Sequence, residues 1–486
     1  MSFLNQSGEL SAFSEVVPDA ARVTGLTRSS ILSQRRRCRI TPQSGQNYGS
    51  GGSGAGNSQL QFLIADQGGL VDPRSIVLNY FIQTSAAAVV PDDGHPFTTA
   101  QVLMNGQLMD NIQNAMKYTN IEMKMGGSES YYKSAGSLQG FELLNGDLTT
   151  ALNGASAWSQ FGYVDQNVAD IGVRTARAAA AVTNNIAGEP RSIPLGLISG
   201  VGRMKSYLPV SLLGELSIVL ITGTPAEVLF NSTSNVVGDY SLAQVSLEYD
   251  VVVPAPAYMS LLQKIASDPS DSGVNLPFES AIVTAGAGIS ASATLTENSV
   301  IVSRATNHLL RAHLVQIPTS LLASVNYPSQ SAFNHAGTWS VQFRIGSQTY
   351  PQVACQGDAA LFNMSLTAYG SVSQENGSVA NRCLWGNSTN GSIAGTAAVY
   401  ETAQAASGGT TKFAYGDSFI PSYGFQTVKG AASPLDVDGV SLAGASGSQI
   451  IATVVQAPGA AMTPFLCLVA LKFIKAAGGS VQVIGA

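Results

Sequence analysis

The chain has 486 residues, of which 11% are charged and 45% are hydrophobic, and its net charge is −6 with an isoelectric point near 5.3. The length indicates two or more domains, and the low charged fraction indicates that much of the exterior is buried against other chains. The acidic balance argues against a general attraction to nucleic acid, and no apolar run is long enough to predict a membrane-spanning helix.

Residues 1–35 are a predicted N-terminal arm, because their apolar residues have weakly helical spacing and no place in a sheet. The only basic cluster in the chain overlaps the end of this arm and consists of Arg35, Arg36, Arg37 and Arg39. Two interpretations stay open for this basic cluster. It contacts nucleic acid or lipid headgroups, or it belongs to a first strand whose charges lie on a solvated edge.

Several strands are predicted in the first half of the chain. Residues 59–65 and 76–83 alternate between apolar and polar side chains, and residues 101–109 form a strand with a tight turn at a glycine. The following run, 110–125, has helical spacing, and Asp110 is a candidate N-cap. The glycine-rich loop at 52–56 precedes a strand, so it does not fit a phosphate-binding loop.

The most informative stretch covers residues 192–265 and reads as strand, loop, strand, proline stop and short helix. Its second strand has one apolar row, which predicts a half-buried antiparallel strand: Val245, Leu247, Tyr249 and Val251. The earlier strand at 216–221 is apolar on both faces. Pro254 ends the sheet, since proline cannot donate to a strand ladder. The segment 268–274 is a predicted linker that separates a domain at 36–267 from one at 275–486.

The second half repeats the pattern of the first. Residues 341–351 are again a strand with a glycine turn, and the run from residue 358 to 369 again has helical spacing. Gly106 and Gly346 mark the two turns, almost half the chain apart. The first strand of this half is predicted at 281–284 or at 291–302. A two-sided apolar strand at 463–473 and a last short strand close the chain.

The order of these segments carries a family resemblance. One succession of segments resembles the closing part of the first jelly roll in double jelly-roll major capsid proteins. It consists of Ile193-Pro194-Leu195-Gly196, the segment 208–214, an apolar strand and the strand 245–251. Residues 38–48 resemble the first strand of that jelly roll. Within that family the chain is most similar to capsid proteins of Polinton-like viruses and virophages, with adenovirus hexons and tailless phages as more distant relatives. The resemblance implies an all-β fold of two tandem eight-stranded jelly rolls, with short helices and long outer loops at about 126–190 and 370–426.

The resemblance also implies a function. A major capsid protein of this family trimerises into pseudo-hexagonal capsomers that form the icosahedral shell of a DNA virus. The implied partners are other copies of the chain, neighbouring capsomers, penton and minor capsid proteins, and an internal membrane or the genome, reached through the N-terminal arm. On this interpretation the basic cluster faces the interior of the particle. The protein then resides in the virion and is assembled inside the host cell, since the N-terminus lacks the features of a secretion signal.

Residues suited to catalysis or metal binding do not form a recognisable motif. The histidines lack metal-ligand spacing and are interpreted as ordinary polar or core residues: His95, His308, His313 and His335. The cysteines lack C-x-x-C spacing and are interpreted as free thiols in a reducing compartment: Cys38, Cys355, Cys383 and Cys467. The segment 286–291 fits the letters of a dinucleotide fingerprint, but a strand follows it where a helix is required. We therefore expect no enzyme activity, metal or cofactor.

An alternative function comes from a different class. Two β-sandwich domains can also form a surface or spike protein that binds glycans through its loops. The aromatic residues that could stack on a sugar are Tyr415, Phe419 and Tyr423. The absence of a secretion signal and the small number of these aromatics favour the capsid interpretation.

Overall fold

The structure is a computed structural model, and it describes most of the two halves of the chain. The described residues are 34–49, 55–84, 90–92, 94–126, 135–141, 188–230, 238–267, 274–303, 308–322, 329–330, 333–368, 419–425, 440, 449–477 and 480–484. The predicted arm up to residue 33, residues 268–273 of the predicted linker and most of the two long loops lie outside this set.

The strands of the first half are β1 Gln34–Ile40, β2 Gln59–Ile64, β3 Leu70–Thr84, β4 Val90–Pro91, β5 Phe97–Met104, β6 Gln107–Gln113, β7 Glu189–Pro194, β8 Leu216–Thr222, β9 Leu229–Phe230 and β10 Tyr240–Val253. The strands of the second half are β11 Val274–Ala285, β12 Thr296–Ser303, β13 Leu309–Pro318, β14 Thr338–Ile345, β15 Gln348–Gln356, β16 Ser422–Gly424, β17 Gln449–Gln456, β18 Met462–Ala477 and β19 Ser480–Ile484. The helices are short: α1 Ala115–Gly126, α2 Leu195–Ile198, α3 Val210–Leu213, α4 Pro225–Val228, α5 Pro256–Ser267 and α6 Asp358–Thr367.

The two halves share one topology. In the first half the sheets have the strand orders β1-β10-β3-β7 and β2-β8-β5-β6, and in the second half β11-β18-β13-β16 and β12-β17-β14-β15. The first half also has a separate pair of two-residue strands, β4 and β9, and in the second half β19 adds a fifth strand by pairing with β18. When these three strands are set aside, the corresponding strands of the two halves occupy the same places, and every pair of neighbours is antiparallel. Two four-stranded antiparallel sheets of this kind make a jelly roll. The predicted all-β fold of two jelly rolls is therefore confirmed, and the internal repeat is a duplication of the whole fold.

The residue pattern of the central strand explains its place in the core. In β10 the apolar side chains of the alternating row are buried: Val245, Leu247, Tyr249 and Val251. On the other face Glu248 is half-buried, whereas Ser246 and Asp250 are buried. Side chains in a strand alternate with a period of two, so these two rows lie on opposite sides of the sheet. The prediction of an antiparallel strand with one apolar face is confirmed.

The two glycine turns lie at equivalent positions. Asn105 and Gly106 join β5 to β6 with φ of 49° and 76°, and Gly346, with φ of 58°, joins β14 to β15. Positive φ occurs at both central residues of the first turn and at the first central residue of the second. Both patterns suit the right-handed twist of a tight hairpin, and Asn and Gly adopt positive φ at low cost. The equivalence of these turns was visible in the sequence.

Three local predictions were wrong or incomplete. The first strand is β1, Gln34–Ile40, rather than the segment from residue 38 to 48. The first strand of the second half is β11, which contains the 281–284 option and excludes 291–302. Asp110 lies in β6 and does not cap the helix, because α1 begins at Ala115.

Candidate functional site

Helix α1 lies at the interface between the two jelly rolls. All its residues from Ala115 to Met125 are buried, including Lys117, Glu122 and Lys124. A surface helix normally buries only one face, and buried charges require partners because their desolvation is costly. The partners come from both halves of the chain. We use the name inter-roll interface for the surface where the two halves meet. There, β6, α1 and the turn at Gly200–Arg203 contact β11, β13 and β18.

Glu122 is the centre of a buried charge network in the inter-roll interface. Its two carboxylate oxygens each accept a hydrogen bond of 3.1 Å from Nη2 of Arg311 in β13, and Oε2 also accepts one of 2.9 Å from Arg203. Nη2 of Arg311 lies 2.8 Å from the carboxylate of Glu279 in β11. Burial alone would raise the pKa of Glu122, but the positive charges of Arg311 and Arg203 outweigh it and lower the pKa to about 2.

A histidine completes the network on the side of the second jelly roll. Nε2 of His313 lies 3.9 Å from Glu122, and its Nδ1 shares a 2.7 Å hydrogen bond with the hydroxyl of Ser422. The ring is fully buried, and this burial lowers the pKa of His313 to about 3. The imidazole is therefore neutral at ordinary pH, and Arg311 supplies the positive charge from this half.

Asp110 makes a second polar contact across the inter-roll interface. Its Oδ1 accepts a 2.6 Å hydrogen bond from Ser280 of β11, and its Oδ2 accepts one of 2.5 Å from Ser199. Burial raises the pKa of Asp110. Strand β6 thus presents an acceptor and β11 presents a donor.

Lys117 adds a cation to the same contact. Its Nζ donates a 2.7 Å hydrogen bond to Oε1 of Gln330 and lies 4.8 Å from the ring centre of Phe465 in β18. Burial lowers the pKa of Lys117 to about 8. Among the described residues, no carboxylate lies at hydrogen-bond distance from Nζ of Lys117, so the aromatic face and the amide oxygen are important for this buried cation.

The backbones of the two jelly rolls lie close together at Gly200. A Cβ atom at this position would lie 1.5 Å from the carbonyl oxygen of Glu279. Only glycine fits such a close approach of two backbones. The core is correspondingly continuous, because Phe278, Val315 and Cys467 of the second jelly roll belong to the same buried cluster as the core of the first. The two jelly rolls are therefore packed as one unit.

The basic cluster lies on β1, at the edge of its sheet, and all four arginines are exposed. Arg35 forms ion pairs with Asp250 at 2.6 Å and Asp72 at 3.3 Å, and Arg37 pairs with Glu248 at 2.8 Å. Arg36 donates to the carbonyl oxygen of Gln67, and no ion pair of Arg39 occurs within the described residues. The strand-edge interpretation describes this position, whereas the orientation toward a particle interior stays a prediction.

The other predicted residues have ordinary environments where the structure describes them. His95 and His335 are buried, and Cys38, Cys355 and Cys467 are free thiols. Cys383 and Tyr415 lie outside the described residues. Across the described ranges, no helix is long and apolar enough to cross a membrane, and no three His, Cys, Asp or Glu side chains form a group that could hold a metal ion.

Sequence reasoning missed the charge network. Glu122 and Arg311 are separated by 189 positions, and no motif connects them. The one local signal was the presence of charged residues in a helix next to strongly apolar strands, in a chain that carries few charges.

Comparisons with known proteins place this geometry in a fold family. No family model and no curated protein matches the sequence. Among solved structures, VP54 of the virus PBCV-1, fitted into a cryo-EM reconstruction of the virophage Sputnik, matches with a TM-score of 0.52 and 9% identity over 94% of this chain and 98% of that chain. A quasi-atomic model of the PBCV-1 capsid gives 0.51 and 10% over the same shares. The Sputnik virophage structure gives 0.50 and 13% over 93% of this chain and 88% of that chain.

These matches cover nearly the whole chain and both jelly rolls. At identities of 9 to 13% they establish the fold and leave function to be argued separately. The chain has the double jelly-roll fold of viral major capsid proteins. The family resemblance found in the sequence is confirmed at the level of the fold.

Proposed function

We propose that the chain is a major capsid protein, that three copies form a pseudo-hexagonal capsomer of six jelly rolls, and that these capsomers build the icosahedral shell of a DNA virus. The observation that carries the proposal is the duplicated topology: both halves have the same strand order, and the match to capsid structures covers 94% of the chain. A trimer can contain six similar units with near-sixfold symmetry only if each of its three chains contributes two equivalent units.

The inter-roll interface supports this role physically. A building block of a shell must hold its two units at a constant angle, because small errors would accumulate over many repeated contacts. Arg311 of the second jelly roll fixes this angle through directional, buried hydrogen bonds to Glu122 of the first, and Arg203 of the first jelly roll also binds the Glu122 carboxylate. Breaking such a network by removing one partner typically costs about 3–5 kcal/mol.

The low charge content fits a protein that buries much of its exterior. Weak contacts between capsomers, repeated around the shell, add up through multivalency. We propose that neighbouring capsomers, penton proteins and minor capsid proteins are the partners, and that the N-terminal arm reaches a further partner, such as an internal membrane or the genome. The proposed location is the virion, with assembly inside the host cell, and the proposed role requires no catalysis.

The glycan-binding alternative has less support. Phe419 is buried, and the ring of Tyr423 packs 5.1 Å from Phe425 and 5.9 Å from Tyr350 inside the second jelly roll. The ring of Phe419 is therefore not available to stack on a sugar, the ring of Tyr423 is only partly exposed, and no other aromatic cluster was predicted for this role.

The solution mass of the purified chain tests the proposal. Light scattering behind size exclusion, at neutral pH and moderate salt, is expected to give three times the chain mass of 50.2 kDa. Electron microscopy of the same fraction is expected to show hexagonal particles. A species that remains monomeric when concentrated would overturn the proposal.

A deletion separates trimer formation from shell formation. Because β1 begins at Gln34, removal of residues 1–33 leaves every described strand intact. We expect this variant to form trimers but to fail in shell assembly. A variant that assembles normal shells would contradict the proposed role of the arm.

A further inference from the structure

The side-chain amine of Lys117 is buried beside a side-chain amide of the second jelly roll. Lys117 lies in α1, and its Nζ donates a 2.7 Å hydrogen bond to Oε1 of Gln330, in the connection between β13 and β14. Both side chains are buried, and the two residues are 213 positions apart in the sequence. An amine and a carboxamide are groups that can condense to a secondary amide, so this contact brings together two groups with a possible reaction.

The surroundings of Nζ favour the reactive form of the amine. The ring of Phe465 in β18 covers it, with the ring centre 4.8 Å away. Burial lowers the pKa of Lys117 to about 8, although the nearby charges of Glu227 and Asp92 act in the opposite direction. A substantial fraction of the amine is therefore neutral near that pH, and a neutral, desolvated lysine is a nucleophile.

The amide of Gln330 is held with its carbonyl oxygen toward the amine. Its Nε2 donates a 3.3 Å hydrogen bond to the hydroxyl of Ser329, while its Oε1 accepts from Lys117. Since a carbonyl bond is about 1.2 Å long, Cδ of Gln330 lies within about 4 Å of Nζ. Attack on a carbonyl carbon begins from about 3–3.5 Å. Rotation about the last side-chain torsion of a glutamine is soft, so a small movement brings the two atoms to that distance.

A buried carboxylate adjoins both reacting residues. Oδ2 of Asp92, which follows β4 in the first jelly roll, accepts a 3.3 Å hydrogen bond from the backbone N–H of Gln330. The charge of Asp92 also acts on Lys117. A carboxylate at this place is suited to take the proton that the attacking amine loses and to pass it to the departing nitrogen.

We propose that Lys117 and Gln330 form an isopeptide bond that joins the two jelly rolls covalently. The lone pair of the neutral Nζ attacks Cδ of Gln330, and the π electrons of the carbonyl group move to Oε1. Asp92 takes a proton from Nζ. When the carbonyl group forms again, the Cδ–Nε2 bond breaks, and Nε2 leaves with that proton as ammonia. The products are one secondary amide and one ammonia molecule, and no oxidant, reductant or co-reactant takes part.

The bond has a structural consequence for the inter-roll interface. It links α1 of the first jelly roll to the β13–β14 connection of the second, close to the charge network of Glu122 but independent of it. The two jelly rolls then stay joined at this point even when their hydrogen bonds and ion pairs break. The inference goes beyond the proposed capsid role and does not depend on it.

Mass spectrometry of the full-length protein tests the bond. The purified chain is incubated near the pKa of Lys117, about 8, then denatured and digested with trypsin. Because trypsin does not cleave after a modified lysine, the expected product is a branched peptide that joins residues 75–124 to residues 312–344 and lacks the mass of one ammonia. Succinimide formation at Asn105-Gly106 also releases ammonia, but it does not join two peptides. The branched peptide is therefore the decisive readout.

Substitutions of the three residues provide a second readout. Lys117→Met and Gln330→Met each remove one reacting group, so both variants are expected to lack the branched peptide. They are also expected to migrate more slowly than the wild type on a denaturing gel, because a branched chain is more compact when unfolded. Asp92→Asn is expected to slow formation of the bond by about tenfold or more. The control Lys475→Met, at a partly exposed lysine of β18, is expected to keep the branched peptide.

The possible outcomes are distinct, and circular dichroism verifies that each variant folds. A wild-type chain that yields only the linear peptides 75–117 and 312–344 after prolonged incubation overturns the proposal. A branched peptide whose junction maps to other residues overturns it as well. An unchanged rate in Asp92→Asn overturns the proton transfer assigned to Asp92. None of these results bears on the capsid role, which the mass of the native particle tests separately.

Discussion

Arg311 in β13 of the second jelly roll donates hydrogen bonds of 3.1 Å to both carboxylate oxygens of Glu122 in α1 of the first. Both residues are buried, so each charged side chain loses its contact with water and gains a partner on the other jelly roll. A charge pair of this kind contributes directional specificity more than net stability. Together with the Asp110–Ser280 hydrogen bond and the shared core, it sets the relative orientation of the two jelly rolls, and several measurable consequences result.

Substitution Arg311→Leu is expected to lower the free energy of unfolding by about 3–5 kcal/mol, because Glu122 then keeps its buried charge with Arg203 as its remaining partner. Urea denaturation measures the change. The control is Arg344→Leu, at an exposed position on β14, which is expected to change the free energy by about 0.5 kcal/mol or less. A loss below about 1 kcal/mol for Arg311→Leu would contradict the assigned role of the network.

Substitution Gly200→Ala is expected to separate the jelly rolls locally, because the new Cβ would meet the backbone of Glu279, which cannot rotate away as a side chain can. Overpacking of this kind costs about 1–3 kcal/mol. The thermal midpoint measures it. Gly126→Ala is the matched control, since nothing lies within 4 Å of a Cβ added at the end of α1. Equal midpoints for the two variants would show that the close approach at Gly200 is not significant.

The pH dependence of stability should reflect Glu122. Its pKa in the folded protein, about 2, lies below the ordinary value of 4.5, so its stabilising contribution is complete above pH 4.5 and is lost as the pH falls through 2. The shift corresponds to about 3 kcal/mol. The stability difference between the wild type and Glu122→Gln is expected to be largest above pH 4.5 and to shrink toward pH 2.

Urea denaturation at a series of pH values measures this difference. Glu297→Gln, on the exposed face of β12, serves as the control and is expected to stay close to the wild type throughout. If the difference for Glu122→Gln is constant from pH 5 to pH 2, the carboxylate of Glu122 is not held in its ionised form by the arginines.

Cysteine reactivity should report on the inter-roll interface. Cys467 is fully buried in the core shared by both jelly rolls, and burial raises the pKa of its thiol. Because the thiolate is the reactive form, Cys467 is expected to resist iodoacetamide until the protein unfolds. Cys38 and Cys355 are partly exposed and serve as internal references in the same mass spectrum. Rapid labelling of Cys467 in the native protein would show that the jelly rolls separate in solution.

Much of the fold could be predicted from the sequence because its signals are local. Alternation in β10, the tight turns at Gly106 and Gly346 and the helical run before residue 126 each depend on near neighbours, and each element lies close to its predicted place. The repeat of strand, turn and helix in both halves predicted the duplication for the same reason. Where the local signal was ambiguous, as at the start of the second jelly roll, the prediction left two options.

The wrong prediction for Asp110 has a physical reason. Asp110 satisfies the sequence rule for a helix cap, but its carboxylate instead accepts hydrogen bonds from Ser199 and Ser280, which are distant in the sequence. A buried polar side chain binds the hydrogen-bond donors that lie near it in the folded protein. The local helix propensity of its segment affects its position less than the requirement that a buried polar group be hydrogen-bonded.

The sequence by itself determined the all-β class, the order of the elements and their duplication, because periodicity and turn chemistry act over a few residues. The tertiary structure alone decided which strands became edges, which of those edges were covered, and which charges met. The pairing of Glu122 with Arg311 and the burial of β6 against β11 depend on how two complete jelly rolls pack, and no local pattern encodes that contact.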